Sequence, residues 1–346
     1  MSFRRLLLLL GSAALAAGLI VLLIRLGKVD VRLTLYQLER VSAISFAKLV
    51  LLNGLLVYLS TAKWRSIDAA LRSPSDFVPS RIASFFVSSA GMALGLVLPV
   101  QIGMTIARTI GTHTYGRALK RGTAGTLFEQ GFDLAVVALL AVASAITWLC
   151  GGGGAMWIAS AVSLTAMALL AVGPSVRIMQ RLFRRASRSA IPGRPVFRHR
   201  GLGKLLAHAL QRFAELQHSG LVNARLARRL AMLSAARFCV VVLMANQTAE
   251  AIGAHISLWS MAAAMPFATM ANAIGVTPGG IGVNELTSVA ALHLFGTPLN
   301  VASQWALANR LLGMGSCFTV TACGTLMLGA EKALTSGTPA AKSGVE

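Results

Sequence analysis

The sequence predicts an all-α fold: a polytopic helical membrane protein built as an inverted repeat with two broken, re-entrant helical hairpins. Three observations predict it. The chain is 55% hydrophobic and only 12% charged, with a mean hydropathy of +0.70, the composition of a polypeptide that crosses a bilayer several times. Two of its apolar stretches are interrupted by proline and glycine, and broken backbone at membrane depth is tolerated only against protein or a wet cavity. The two interruptions also share Pro-x-x-Ile-Gly, as Pro99-Val-Gln-Ile102-Gly103 and Pro278-Gly-Gly-Ile281-Gly282. The positive-inside rule opens their hairpins to opposite sides of the membrane.

Residues 1–40 hold a first helix and an outer loop. Arg4 and Arg5 precede an apolar run from Leu6 to Ile24, which at ~19 residues is long enough to span. Alanine-rich sequence leaves a cleaved signal peptide open; an uncleaved helix with a cytoplasmic N-terminus is the reading adopted. Residues 41–148 form the first repeat: a span over Val41–Thr61, a hairpin over Ile82–Ile110 hinged at Pro99 and Gly103, and a span over Thr123–Trp148. Lys63, Arg65 and Arg72 put the end of the first span in the cytoplasm, with Trp64 as an interface anchor. Ile82–Ile110 is too short for two spans and long for one. A single crossing would place Arg117, Lys120, Arg121 and a later basic cluster outside, whereas a re-entrant hairpin places them all inside, as the rule prefers.

Residues 149–176 are a connecting span that returns after the turn Gly151–Gly154. Residues 177–229 form a basic cytoplasmic linker with 13 of the 32 basic residues and Glu215 as its only acid. Within it Gly203–His218 reads as an amphipathic helix, lying on anionic headgroups or packed as a connector. Residues 230–330 are the second repeat: a span over Leu230–Glu250, a hairpin over Leu258–Phe295 hinged at Pro278, and a span over Gln304–Leu328. Residues 331–346 are a cytoplasmic tail. This arrangement brings Trp148, Trp157, Trp259 and Trp305 to the outer interface as an aromatic belt.

The net charge of +21 is positive-inside bias, and no nucleic-acid partner is expected. The four cysteines form no C-x-x-C pair and the six histidines have no metal-ligand spacing, so neither a disulfide framework nor a metal site is read. There is no Ser/His/Asp arrangement and no Walker loop. No catalytic residue, cofactor or metal is expected, and the chain is read as a non-enzyme.

Ionisable residues at membrane depth are functional candidates: Arg108, Glu129, Asp133, Glu285 and Arg310. Gly279, Gly280 and Gly282 offer backbone N–H groups where a new helix begins, a setting that favours an anion. Arg108 and Arg310 with these N–H groups form a site for a phosphate headgroup. Glu129 and Glu285 pair with the arginines when the site is empty, or meet a cationic headgroup. Asp133 belongs to the same substrate-binding set. The plainer reading makes the turn a tight loop and the charges structural ion pairs between helices.

Pro278-Gly279-Gly280-x-Gly282-x-x-Glu285 resembles the signature of the lysylphosphatidylglycerol synthase transmembrane region family, flippase-like membrane proteins. Ala62-Lys63-Trp64-Arg65, Leu98-Pro99-x-x-x-Gly103 and Phe128-Glu129-x-x-x-Asp133 are similar to further family motifs, the whole covering roughly residues 40–330. The chain departs from the pattern at Gln101, Met104 and Gln130. The resemblance implies a lipid flippase or translocase of the bacterial inner membrane, with both termini cytoplasmic. Family members that make aminoacylated lipids use a separate soluble domain; with Glu346 about 16 residues past the last span, that domain is expected to be absent. The partners expected are membrane lipids, namely an anionic or aminoacylated phospholipid or a lipid-linked substrate. Protein partners expected are a lipid-synthesis enzyme or a second copy in a homodimer. Two other functions stay open: a non-transporting accessory subunit of a lipid or glycolipid synthesis complex, and an integral-membrane transferase using Glu129 and Asp133 as acid and base.

Overall fold

The structure, a computed structural model, describes residues 3–71, 79–98, 100–114, 119–168, 170, 224–274 and 277–336. Pro99 and the Gly203–His218 segment lie outside the described residues. Every regular element described is helical. In chain order these are α1 (Phe3–Leu26), α2 (Val31–Glu39), α3 (Ala43–Leu71), α4 (Arg81–Val97), α5 (Val100–Thr114) and α6 (Leu119–Leu149). Then follow α7 (Gly154–Ala168), α8 (Ala224–Ala251), α9 (Leu258–Ile274), a 3-10 turn at Pro278–Gly280, α10 (Val283–Leu294) and α11 (Leu299–Ser336).

Four segments are long and apolar enough to cross a membrane: Ala43–Ala70, Gly125–Leu149, Ala224–Ala251 and Leu299–Glu331. They belong to α3, α6, α8 and α11, and make the chain a multi-pass membrane protein. Their large apolar side chains face outward, as Leu51, Leu149 and Leu326 do. Lipid is as apolar as leucine, so outward hydrophobics cost nothing and the helices hold together by close packing and interhelical hydrogen bonds. Asn53 Nδ2 donates to Ser316 Oγ (3.1 Å), Thr321 Oγ1 to the Ser89 carbonyl (3.2 Å) and Thr248 Oγ1 to Asn309 Oδ1 (3.2 Å).

Between each pair of long helices sits a pair of short ones. α4 has 17 residues and α5 has 15, ~25 and ~22 Å of rise, each shorter than a hydrocarbon core of ~30 Å. They pack antiparallel. A Cβ on Gly91 would meet Met104 and Ala107, one on Gly103 the backbone of Gly95 and Leu94, and one on Gly111 would meet Val87. The chain therefore leaves this hairpin at the end where it entered. The mouth lies near the end of α11, where Ser80 Oγ donates to Glu331 Oε2 (2.9 Å). The second hairpin, α9 and α10, has its mouth at the other end of α6. There Ser260 Oγ donates to the Phe295 carbonyl (3.1 Å), Trp259 packs edge-on against Phe295, and a Cβ on Gly154 would touch Trp259. The two tips meet in the interior: the Gly279 N–H donates to the Leu98 carbonyl (3.2 Å).

Three expectations change at this level. The second span does not stop at Thr61, because α3 continues through Leu71 and carries Lys63 and Trp64 inside, with 0% and 5% of their surface exposed. Lys63 is thus not a solvated cytoplasmic charge and Trp64 not an interface anchor. Trp305 belongs to no belt: it is fully buried and donates its indole N–H to the Ala245 carbonyl (2.9 Å). Gly103 sits inside α5, at the closest approach of α4 and α5, and not at the break between them.

Candidate functional site

Two polar clusters lie where the short hairpin helices meet the long ones. The first is assembled by α3, α5, α6 and α8. Helical spacing places Glu129 and Asp133 on one face of α6, and Ser60, Lys63 and Trp64 on one face of α3. Arg108 of α5 is fully buried and forms a salt bridge with Glu129. Its second Nη also donates to the Ser60 carbonyl (3.2 Å) and Ser60 Oγ (3.0 Å). The guanidinium lies 5.4 Å from the centre of the Trp64 ring, a cation–π contact strengthened by exclusion of water. Lys63 Nζ pairs with Asp133, lies 3.5 Å from Glu129 Oε1 and reaches Ser234 Oγ at 3.5 Å. Arg237 of α8 closes the chain of charges on Asp133 Oδ2 at 3.1 Å. A buried charge is stable only when paired and hydrogen-bonded, and each of these carboxylates has both oxygens engaged.

A cavity of about 90 Å³ opens beside this cluster, between the two halves of the chain. Ser60, Met104, Glu129 and Asp133 line it from the first half, and Arg237 and Asn272 from the second.

The second cluster surrounds the turn after α9. Pro278 starts the 3-10 turn, and Gly279, Gly280 and Gly282 have φ of +59°, +68° and +84°, the left-handed region that disfavours any side chain. Space demands glycine here as well. Cβ atoms at these positions would run into the Leu96 carbonyl, Asn272 Oδ1 and Leu19 of α1 respectively. Glu285 at the third position of α10 accepts the Gly282 N–H (2.6 Å), the returning half of a capping box. Arg310 of α11 donates to the Gly279 carbonyl (2.9 Å), and its Nε lies 3.7 Å from Glu285 Oε1. Glu285 Oε1, Arg310 Nη2, Thr277 Oγ1 and Asn272 Oδ1 are buried with no hydrogen-bond partner among the described residues.

The residues singled out in the sequence are thus gathered in two groups. Arg108, Glu129 and Asp133 share the first, and Gly279, Gly280, Gly282, Glu285 and Arg310 the second. Asn272 joins them, lining the cavity while its side-chain oxygen lies against Gly280. The glycine N–H groups do not stand open to an anion in this arrangement. Gly279 donates to Leu98, Gly280 to Thr277 and Gly282 to Glu285. Lys63, Arg237 and Asn272 went unread in the sequence as members of the site. The signal for Lys63 was its place three residues after Ser60 on a helix that has no reason to end at Thr61.

No curated protein and no solved structure matches the chain. A family model does match, the lysylphosphatidylglycerol synthase TM region, over residues 8–320. That range takes in both hairpins, both charge clusters, three of the four long spans and most of the fourth, and the match fits a membrane protein of lipid metabolism or translocation. The chain therefore belongs to the lysylphosphatidylglycerol synthase transmembrane region family.

Proposed function

We propose that the protein moves an amphipathic phospholipid between the leaflets of the bacterial inner membrane. The headgroup passes through the polar cavity between the halves while the acyl chains remain in the bilayer. The observation that carries this reading is the cavity itself: charged side chains from three spanning helices line or border a void between those helices. Such groups are costly in a bilayer and mark substrate paths. The reading treats the two halves as an inverted repeat. Hairpins that open at opposite ends and meet at their tips support it, since alternating access works by rocking one such half against the other. Both termini are taken as cytoplasmic. The chain acts as a transporter and not as an enzyme, by passive movement, ion coupling or a partner's help.

The test is a leaflet-exposure assay with purified protein in vesicles carrying phospholipids labelled on the headgroup or an acyl chain. A membrane-impermeant quencher bleaches only the outer leaflet of protein-free vesicles. With protein, inner-leaflet label should become accessible, with or without an imposed ion gradient. The double variant Arg108→Gln/Glu129→Gln, which leaves no unpaired charge at this pair, should lose most of this gain while folding well enough to be reconstituted. Inner label that stays protected under every condition with folded wild-type protein would remove translocation. An accessory role would be left, and in that case the double variant Glu285→Gln/Arg310→Gln, which neutralises both members of the pair, would leave cellular function intact.

A further inference from the structure

We infer that the cavity between the halves takes an anionic headgroup, a phosphodiester with one net negative charge, and rejects a headgroup with a net positive charge. The inference rests on the translocation reading for its setting, but its argument is separate.

Charge is the first observation. Lys63, Arg108 and Arg237 face Glu129 and Asp133, three cations against two carboxylates, all linked in one chain of salt bridges. Among the described residues the cluster beside the cavity therefore carries one positive charge in excess. The other lining groups, Gln130, Thr269 and Asn272 among them, are all neutral.

Hydrogen-bond capacity is the second. Asp133 accepts from Lys63 on one oxygen and from Arg237 on the other. Glu129 accepts from Ser60 on one oxygen and from Arg108 on both. An incoming ammonium group would find both carboxylates already engaged, with only the neutral Asn272 Oδ1 left as an unpaired acceptor among the described lining groups, and would add to the excess charge. A phosphodiester brings what is missing. Arg237 Nε is buried without a hydrogen-bond partner among the described residues, and Arg237 lines the cavity. Its planar fork suits phosphate oxygens. Arg237 is also the most exposed cation of the cluster, 22% against 0% for Lys63 and Arg108, so a ligand reaches it first.

The experiment measures unfolding midpoints of the full chain in neutral detergent, titrated with three short-chain lipids. These are phosphatidylglycerol with net charge of minus one, phosphatidylcholine with none, and lysyl-phosphatidylglycerol with plus one. Phosphatidylglycerol should stabilise saturably and best, and lysyl-phosphatidylglycerol least. Arg237→Gln should weaken the phosphatidylglycerol effect about tenfold, the size of one hydrogen bond to a charged group. Arg228→Gln, which changes an exposed arginine on the same helix, controls for lipid on the basic surface and should leave the effect unchanged. Equal stabilisation by all three lipids, a preference for the cationic lipid, or equal losses in the two arginine variants would each overturn the inference. If Arg237→Gln does not fold, the wild-type order of the three lipids still decides. Selective binding without leaflet movement would sink translocation and leave this inference standing. Movement with no preference for the anionic lipid would do the reverse.

Discussion

Glu285 shows how much one side chain holds at the second hairpin. One oxygen caps the Gly282 N–H at 2.6 Å and the other faces Arg310 Nε at 3.7 Å. Arg310→Gln removes the cation and leaves a buried carboxylate, at a cost of roughly 3–5 kcal/mol. The double variant Glu285→Gln/Arg310→Gln retains polar groups without net charge and should recover most of that loss. Thermal unfolding in detergent reads the cycle; strictly additive losses would show that the two side chains do not act as a pair. The sequence named both residues, and named Arg310 and Arg108 as the two candidate partners for Glu285. It could not choose between them, because the choice depends on which long helix borders which hairpin. Lys63 illustrates the opposite failure. A lysine after an apolar run satisfies the positive-inside rule, and nothing local reveals that two carboxylates about 70 residues away hold it inside.

Each hairpin is an element defined by punctuation, and its existence was legible for that reason. Proline removes a backbone donor and glycine admits positive φ, so a break within an apolar run needs no tertiary information to be seen. What holds the arms together was less visible. Gly95 and Gly91 on α4 face Gly103 and Ala107 on α5, and Gly111 one turn on meets Val87, small residues at four-residue intervals that let the helices approach closely. The five-residue match drew attention to Gly103 as a hinge, while its contact partner Gly95 lies outside that match. Gly103→Ala puts a methyl group against the backbone of Gly95 and Leu94, which cannot rotate away, so the arms must part. We expect a markedly lower unfolding temperature and less monodisperse protein on size exclusion. Gly131→Ala on α6, where nothing lies within 4 Å of the added atom, should be neutral or stabilising by up to ~1 kcal/mol. Similar losses in both variants would mean that the α4–α5 contact contributes nothing special.

For the whole molecule, the arrangement of mouths sets the topology to be tested. With both termini cytoplasmic, single cysteines at Ser187 and Ser219 should be protected from an impermeant thiol reagent in intact cells, and cysteines at Gly152 and Asn300 should react. External labelling at Ser187 would reverse the assignment of the first hairpin. Gly152 and Asn300 flank the end of the bundle where α9 and α10 open. Parity and charge bias carry this expectation from the sequence, because both are sums over many residues and change little with a single misplaced residue such as Lys63 or Trp305. The contact of Gly279 with Leu98 has an electrical consequence. On the translocation reading, water reaching these tips from either face would stop at a thin partition, and the transmembrane voltage would fall across it instead of across the whole bilayer. A headgroup of one net charge that passes it would cross most of the field in a single step, ~2.3 kcal/mol for each 100 mV. The membrane potential alone would then give an anionic lipid a preferred direction, with no nucleotide consumed.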